Sequence, residues 1–325
     1  MIVIRNTACS NKYKLNIGTH NGIFHSDEVL AISILDIANT GKELCIVRTR
    51  DKDELTRTTF NVDIGGKEYD HHITGFDKKR ATGELYASAG LIWEKFAKDA
   101  IKAIQLEENL NYIALTDEEL SSIINEIDRK VIIPVDLEDN GQEISTHLFS
   151  FINTFLPCWT ENPNYNLAFE KAENIAVEIM KKVIKQNIVK VISKKYLENK
   201  FYLIKNETFL KFSKEILEIP SQTFPWLEEV CKFNKENHDL VLFVIFPYPA
   251  GGWAAQCVPP SIEKKFEKLV PFPHKWAGKM DSELAKISGI YDALFCHNQR
   301  FFARAESKES IIEMCNIAME IYLTK

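Results

Sequence analysis

The stretch Asn61-Val-Asp-Ile-Gly-Gly-Lys-Glu-Tyr-Asp-His-His72 decides how this chain is read. Its start predicts a short strand ending in Asp63, Gly65-Gly66 predict a turn, and residues 67–72 predict a return strand ending in Asp70-His71-His72. Such a hairpin brings an aspartate and two adjacent histidines to one place. Neighbouring side chains on a strand point to opposite faces, so His71 and His72 share a direction only if the strand ends there. One histidine then acts as a ligand and the other as a donor toward whatever the ligand holds. The competing reading is a polar surface turn, in which Asp and His are ordinary.

A second cluster, His20, His25 and Asp27, stands upstream. Divalent metals in hydrolytic sites take imidazole and carboxylate from several separate segments, and two such clusters in one half of the chain favour a metal site. Asp27 also has an ordinary role, because with Glu28 it puts acid in a first helical turn, at the positive end of the helix dipole. Downstream, Val135-Asp-Leu-Glu-Asp-Asn-Gly141 adds Asp136 and Asp139. Asn140-Gly141 lets the backbone turn away beside Asp139, which makes it the better ligand. Solvated acids at a helix C-terminus are the alternative.

Around these clusters the pattern is α/β. Residues 14–19 and 43–48 read as strands, and 27–38 as a helix with Ser26 as N-cap. That helix is apolar nearly all round and is expected to be buried. A helix over 87–104 follows, and Thr116 with Glu119 forms a capping box for another. The alternation predicts a parallel sheet with helices on both faces. Ligands gather at the carboxyl ends of such strands, which is where His20, Asp63 and residues 70–72 fall.

At 325 residues and 45% apolar content, the chain has material for two cores. The irregular run around Pro157, Trp159 and Pro163 places the boundary, giving a metal-binding domain over 1–160 and a smaller α/β domain over 161–325. No run of 18 uncharged apolar residues occurs, so no membrane span is expected. Residues 1–14 lack an apolar signal core, and the seven cysteines form no Cys-x-x-Cys, which suits a reducing cytoplasm and argues against a zinc ribbon. No dinucleotide Gly-x-Gly-x-x-Gly, phosphate loop or Gly-x-Ser-x-Gly elbow recommends a dehydrogenase, an ATPase or a serine hydrolase. Residues 1–160 carry 17 Lys and Arg against 25 Asp and Glu, a balance of -8, and the remainder carries 23 against 21, or +2. The asymmetry suits metals in the first half and an anionic substrate in the second, although surface variation alone produces such differences.

In the second half a long helix is expected over 166–197. Lys181, Lys182, Lys185, Lys190, Lys194 and Lys195 stand on it with no acid among them, as either a solvated face or a track for a nucleic-acid backbone. Residues 239–246 read as a central strand because they are apolar throughout after Asp239. They run into Pro247-Tyr-Pro-Ala-Gly-Gly-Trp253, a turn whose glycines can offer backbone N–H groups to an anion, and then a strand over 254–258. Residues 293–302 read as one further strand carrying His297 and Arg300, and 308–323 as a helix whose apolar stripe belongs to the core.

Taken in order, several segments resemble the Myg (melanocyte-proliferating-gene) family, a branch of the DHH phosphoesterase superfamily. They are Gly18-Thr-His-Asn-Gly-Ile-Phe-His-Ser-Asp-Glu28, Val62-Asp-Ile-Gly-Gly66, Tyr69-Asp-His-His72 and Asp136-Leu-Glu-Asp-Asn-Gly141, then Tyr248-Pro-Ala-Gly-Gly-Trp253 with Val258-Pro, residues 284–290, and Phe295-Cys-His297. The resemblance implies an N-terminal DHH-like α/β domain holding two divalent metals, usually Mn²⁺, and a C-terminal substrate domain, with the active site in the cleft between them. It further implies phosphodiester hydrolysis, and for this branch a 3′→5′ exonuclease acting on RNA. By position, His20, His25 and Asp27 match the first metal motif, and Asp63 the bridging aspartate. His71 matches a ligand, His72 a phosphate contact and Asp139 the last ligand. Gly251 and Gly252 face the substrate, with His297 near it.

The sequence departs from the family pattern at three places. The first motif reads His-x4-His-x-Asp where the wider superfamily has His-x3-Asp-x-Asp, a variant that Myg-like proteins share. The link from Gly66 to Asp70 is short. After Phe295-Cys-His297, Gln299, Arg300, Ala303 and Arg304 stand where small residues and glycines are usual, so Arg300 and Arg304 are candidate phosphate contacts. Two other readings accommodate these departures: a metal- or nucleotide-binding regulator without catalysis, and a metal-dependent hydrolase of small phosphate or amide substrates.

Overall fold

A computed structural model describes residues 3–5, 14–142, 151–208 and 214–323. The chain divides into two compact units, Met1–Val189 and Lys190–Lys325.

The first unit is built on a four-stranded parallel sheet of order β1-β3-β2-β4, with β1 Val3–Arg5, β2 Lys14–Thr19, β3 Glu43–Arg48 and β4 Phe60–Asn61. Helix α1, Ser26–Ala38, connects β2 to β3, and the short α2, Lys52–Thr56, connects β3 to β4. Side chains on every face of α1 are buried, as its all-round apolar sequence requires. Gly18 permits the close approach of β2 to the α2–β4 connection. A Cβ there would lie 2.5 Å from Asn61 Oδ1 and 2.8 Å from Leu55 Cδ2. Three more helices follow: α3 Ser88–Glu107, α4 Asp117–Ile127 and, after a π-helical turn over Asp128–Ile132, α5 Ile133–Asp139. The expected capping box opens α4, with Thr116 accepting from Glu119 N at 3.2 Å and Glu119 accepting from Thr116 N at 2.8 Å. Helix α6, Tyr165–Thr208, carries the division between the units.

Two expectations are corrected. Residues 61–72 form no hairpin. After β4, Val62 and Tyr69 meet in an isolated parallel bridge, so the chain circles instead of doubling back. Asp63 at φ +55°, Gly65 at +89° and Gly66 at +63° make that circle possible, and Asp63 N donates to Tyr69 O at 3.1 Å. Residues 135–139 lie in α5, downstream of α4, with Asp139 at the helix C-terminus. Residues 293–302 are not one strand: β8 ends at Cys296, and Arg300 at φ +60° turns the chain into a separate β9.

The second unit holds a mixed sheet of order β5-β6-β7-β9-β8. Its strands are β5 Glu215–Glu218, β6 Val241–Pro247, β7 Trp253–Cys257, β8 Ala293–Cys296 and β9 Phe302–Ala305. Only the β5–β6 pair is parallel. Val241, Val244 and Phe246 pack with Trp226, Val230 and Phe233 around helix α7, Leu227–Glu236. Phe243 and Ile245 pack with Leu284 of α8, Asp281–Ser288, and with Ile311, Met314 and Cys315 of α9, Lys308–Leu323. Strand β6 is thus covered on both faces, which is why its sequence shows no alternation.

Candidate metal centre

The parallel register sets the site. Val62 N donates to Gly18 O at 2.9 Å, tying the end of β4 to the end of β2. His20 follows β2 directly and Asp63 follows Val62, and His20 Nε2 lies 3.2 Å from Asp63 Oδ2. Asp63 takes a left-handed backbone, a conformation that aspartate tolerates better than most residues and that is concentrated at functional sites. Its carboxylate is buried and its two oxygens serve different groups. Oδ2 faces His20, whereas Oδ1 lies 2.8 Å from His72 Nδ1 and 3.6 Å from His71 Nδ1.

Both histidines reach Asp63 because residues 69–72 are not a strand, and their ring centroids stand 4.1 Å apart. Asp70 holds the bend: its carboxylate accepts from Gly66 N at 2.7 Å and from His72 N at 2.9 Å. His71 is largely buried. Its Nε2 meets Asp139 Oδ2 at 2.8 Å, and its Nδ1 lies 3.2 Å from Ser88 Oγ and 3.9 Å from Asp27 Oδ2.

Asp27 stands with His71 and Asp139 rather than with its sequence neighbours His20 and His25. It is fully buried and accepts from Ser88 N at 3.0 Å and Ala89 N at 2.7 Å. Ala87 offers no side-chain cap to α3, so Asp27 of α1 caps it from a distance, and Asp136 of α5 adds a bond from Gly90 N at 2.9 Å. Asp136 is turned away from the histidines toward Arg80, 2.8 Å away, which also pairs with Asp128. Gly90 makes room for this: a Cβ would fall 2.0 Å from Asp136 Oδ2.

Glu28, Arg48, Arg80 and Ser88 escaped the sequence reading. Glu28 is fully buried; Oε2 accepts from His25 N at 2.9 Å and Oε1 lies 3.1 Å from His20 Nε2. Its spacing of three after His25 is that of a capping-box acid, the one local signal that marks it. Arg48 ends β3 fully buried between the rings of Phe24 and Phe169, at 5.7 and 4.6 Å, and donates to Gly22 O at 2.8 Å, which pins the loop carrying His20 and His25. Nothing local in the sequence distinguishes it from a surface arginine.

Three groups offer one donor atom per residue within 4.8 Å of one another: His20, His25, Glu28 and Asp63; Asp63, His71 and His72; and Asp27, His71 and Asp139. The donor set is imidazole and carboxylate, which suits a divalent ion of intermediate hardness. Glu28 Oε1 and Asp63 Oδ1 are buried and receive no well-aligned hydrogen bond. Buried negative charge dominates the cluster. Burial and the neighbouring charges of Asp139, Asp63 and Asp136 push the Asp27 carboxyl well above the usual range. Burial disfavours a charged His20, but hydrogen bonds to Asp63 and Glu28 outweigh it and raise its pKa to about 10. His71 is raised in the same way, burial being overcome by Asp139. The protein thus draws in protons to compensate a set of acids that a cation of higher charge would balance. Beside the cluster opens a cavity of about 610 Å³, lined by His20, Ile23, His25, Arg50, Asp63 and His72 among others.

In the second unit, Gly251 and Gly252 sit at φ +94° and +73° in the β6–β7 turn. Gly251 N is committed to Tyr248 O at 2.9 Å, and a Cβ on Gly252 would lie 2.5 Å from Ala305 O. Arg304 stacks 3.9 Å over the Tyr248 ring and donates to Gly251 O at 3.0 Å. His297 Nδ1 accepts from Gln299 N at 3.0 Å, which leaves the ring proton on Nε2, and Arg300 Nη1 lies 3.4 Å from Phe272 O. The lysines of α6 are partly spent on acids: Lys181 on Glu107, Lys185 on Glu108 and Lys190 on Glu228, at 2.8, 2.5 and 2.7 Å. Among the described residues no helix is long and apolar enough to cross a membrane.

Comparison with known proteins places this geometry in context. A family model labelled MYG1_exonuc and described as "Uncharacterised protein family (UPF0160)" matches residues 16–319. The chain is 30% identical to a MYG1 protein of Dictyostelium discoideum, over 92% of this chain and 95% of that one. It is 27% identical to the MYG1 exonuclease of Mus musculus, over 93% and 84%, and 26% identical to a MYG1 protein of Chlamydia muridarum, over 94% and 96%.

Proposed function

The chain belongs to the MYG1 exonuclease family, and we propose that it is a divalent-metal-dependent phosphoesterase, a 3′→5′ exonuclease that hydrolyses RNA phosphodiesters. The observation that carries this reading is Asp63, one carboxylate whose oxygens face two separate histidine–carboxylate groups. The names of relatives such as the mouse MYG1 exonuclease supply the substrate class.

His20, His25, Glu28 and Asp63 would hold one ion, and Asp63, Asp27, His71 and Asp139 a second. When bound, such a pair, Mn²⁺ by the family resemblance, supplies an acidified water and neutralises charge on the phosphoryl oxygens. The protein's own groups do the rest. Asp63 orients both halves of the centre. His72, 62% exposed at its side chain and with Nδ1 2.8 Å from Asp63 Oδ1, would offer the far side of its ring to a phosphoryl oxygen. Ser88 and the α3 amides fix Asp27 and His71 so that neither turns when substrate arrives. In the second unit, the Gly252 amide, His297, Arg300 and Arg304 form the proposed substrate-binding surface, with Gly251 shaping the turn.

The test is metal analysis of the purified protein, followed by digestion of end-labelled RNA and DNA with Mn²⁺, Mg²⁺ or chelator. Asp63→Asn is expected to keep the fold, by circular dichroism and melting, and to fall below about a thousandth of wild-type turnover. An Asp63→Asn protein with wild-type activity, or cleavage that survives exhaustive chelation, contradicts the proposal.

A further inference from the structure

One charged side chain at the cavity is not absorbed by the metal centre. Arg50 lines the cavity together with His20, His25, Asp63 and His72, yet it is exposed and ligates nothing. The other arginines of the first unit with described side chains all have partners. Arg48 donates to carbonyl oxygens, Arg57 pairs with Glu54, Arg80 with Asp128 and Asp136, and Arg129 with Glu126. Among the described residues Arg50 alone of these has no carboxylate or carbonyl partner, although the most acidic cluster in the unit lies across the same cavity.

Its backbone is nevertheless held in place on both sides. Thr49 N donates to Thr19 O at 2.9 Å, immediately before His20, and Asp51 N donates to Thr49 Oγ1 at 3.1 Å. Asp51 then caps α2 by accepting from Asp53 N at 2.9 Å. A guanidinium on a fixed backbone, facing a cavity and unpaired within the protein, is arranged for an anion that comes from outside. Beside it the rim carries Ile23, 57% exposed, and Ile64, which give an apolar wall of the kind that a sugar or base covers.

We propose that Arg50 is a substrate contact: its guanidinium takes non-bridging oxygens of a nucleotide phosphate entering this cavity. The inference rests on the phosphodiesterase reading and adds to it a specific phosphate grip in the first unit. Arginine suits the role because its planar fork meets two phosphate oxygens at once, whereas lysine offers a point charge.

The experiment uses Mn²⁺-loaded full-length protein, with adenosine 5′-monophosphate and adenosine as calorimetric probes and labelled RNA as substrate. Arg50→Gln is expected to weaken monophosphate binding and raise KM by about 10- to 100-fold, the usual loss for a charged hydrogen bond. Adenosine binding, metal content and melting temperature should stay at wild-type values. The slope of log affinity for RNA against log salt should fall by about 0.7, one phosphate contact on a single strand. Arg50→Lys should recover part of the loss. Wild-type monophosphate affinity in Arg50→Gln overturns the proposal, as does loss of Mn²⁺ from that variant or equal weakening of adenosine. A wild-type protein that binds the monophosphate through Arg50 but cleaves no nucleic acid upholds this contact and overturns the exonuclease reading alone.

Discussion

Gly90 stands third in α3, where alanine is ordinarily the better residue by about 1 kcal/mol. Here a Cβ would sit 2.0 Å from Asp136 Oδ2 and 2.7 Å from Arg80 Nη2, so the helix gain meets a clash with a buried ion pair. Gly90→Ala is therefore expected to destabilise by about 1–3 kcal/mol, the range for an overpacked site, against the direction that helix propensity predicts. Urea unfolding decides it, and a more stable variant would show that Asp136 and Arg80 move aside freely. The same residues show what can be read from sequence at this scale. His20, His25, Asp27, Asp63, His71, His72 and Asp139 were recognisable by type, and the structure gathers all of them. Their grouping was not recognisable. Asp27 joins His71 because it caps α3, 61 residues away, and no local pattern records that bond. Glu28 was hidden for the opposite reason: an acid in a first turn has a sufficient local explanation, the helix dipole.

At the scale of elements, α6 carries a buried carboxyl that works against it. Glu173 is fully buried and neither oxygen has a hydrogen-bond partner. Burial, with the charges of Asp36 on α1 and Glu170, raises its pKa from 4.5 to about 8. Between those values the folded protein binds a proton that the unfolded chain has released, so stability falls as pH rises through this window. Glu173→Gln keeps the shape and removes the titration. Relative to wild type, the variant should gain about 3 kcal/mol between pH 4 and pH 7. Denaturation at a series of pH values tests this, and parallel profiles for the two proteins would exclude it. Elements with a strong one-dimensional signature were legible: α1 by its apolar girth, α4 by its capping box, β6 by its unbroken apolar run. Residues 61–72 and 293–302 were not. In both, the path depends on non-glycine residues with positive φ, Asp63 and Arg300, which sequence pattern does not mark.

At the scale of the molecule, the mixed α/β character was legible. Apolar residues at Phe169, Ala172, Ala176, Met180, Ile184 and Ile188 bury one stripe of α6 beyond the proline-rich segment, and the first unit runs on to Val189. That unit also concentrates its charge conflict. Asp27, Glu28, Asp63, Asp70 and Asp136 are all buried, with Asp139 beside them and His20 and His71 as the compensating bases. A cation that binds only this folded arrangement stabilises it by RT ln(1 + [L]/Kd), about 2.7 kcal/mol at a hundredfold excess over Kd. For a unit of this size that corresponds to a rise of about 5–10 °C in melting temperature. Mn²⁺ should therefore raise the melting temperature of metal-stripped protein, and chelator should reverse it. In Asp63→Asn the rise should shrink or vanish, since one carboxylate oxygen is lost together with the negative charge that both groups of ligands share. The experiment separates the metal centre from catalysis, because it reads stability with no substrate present. A wild-type protein whose melting ignores Mn²⁺ would mean that the buried acids are balanced by protons alone.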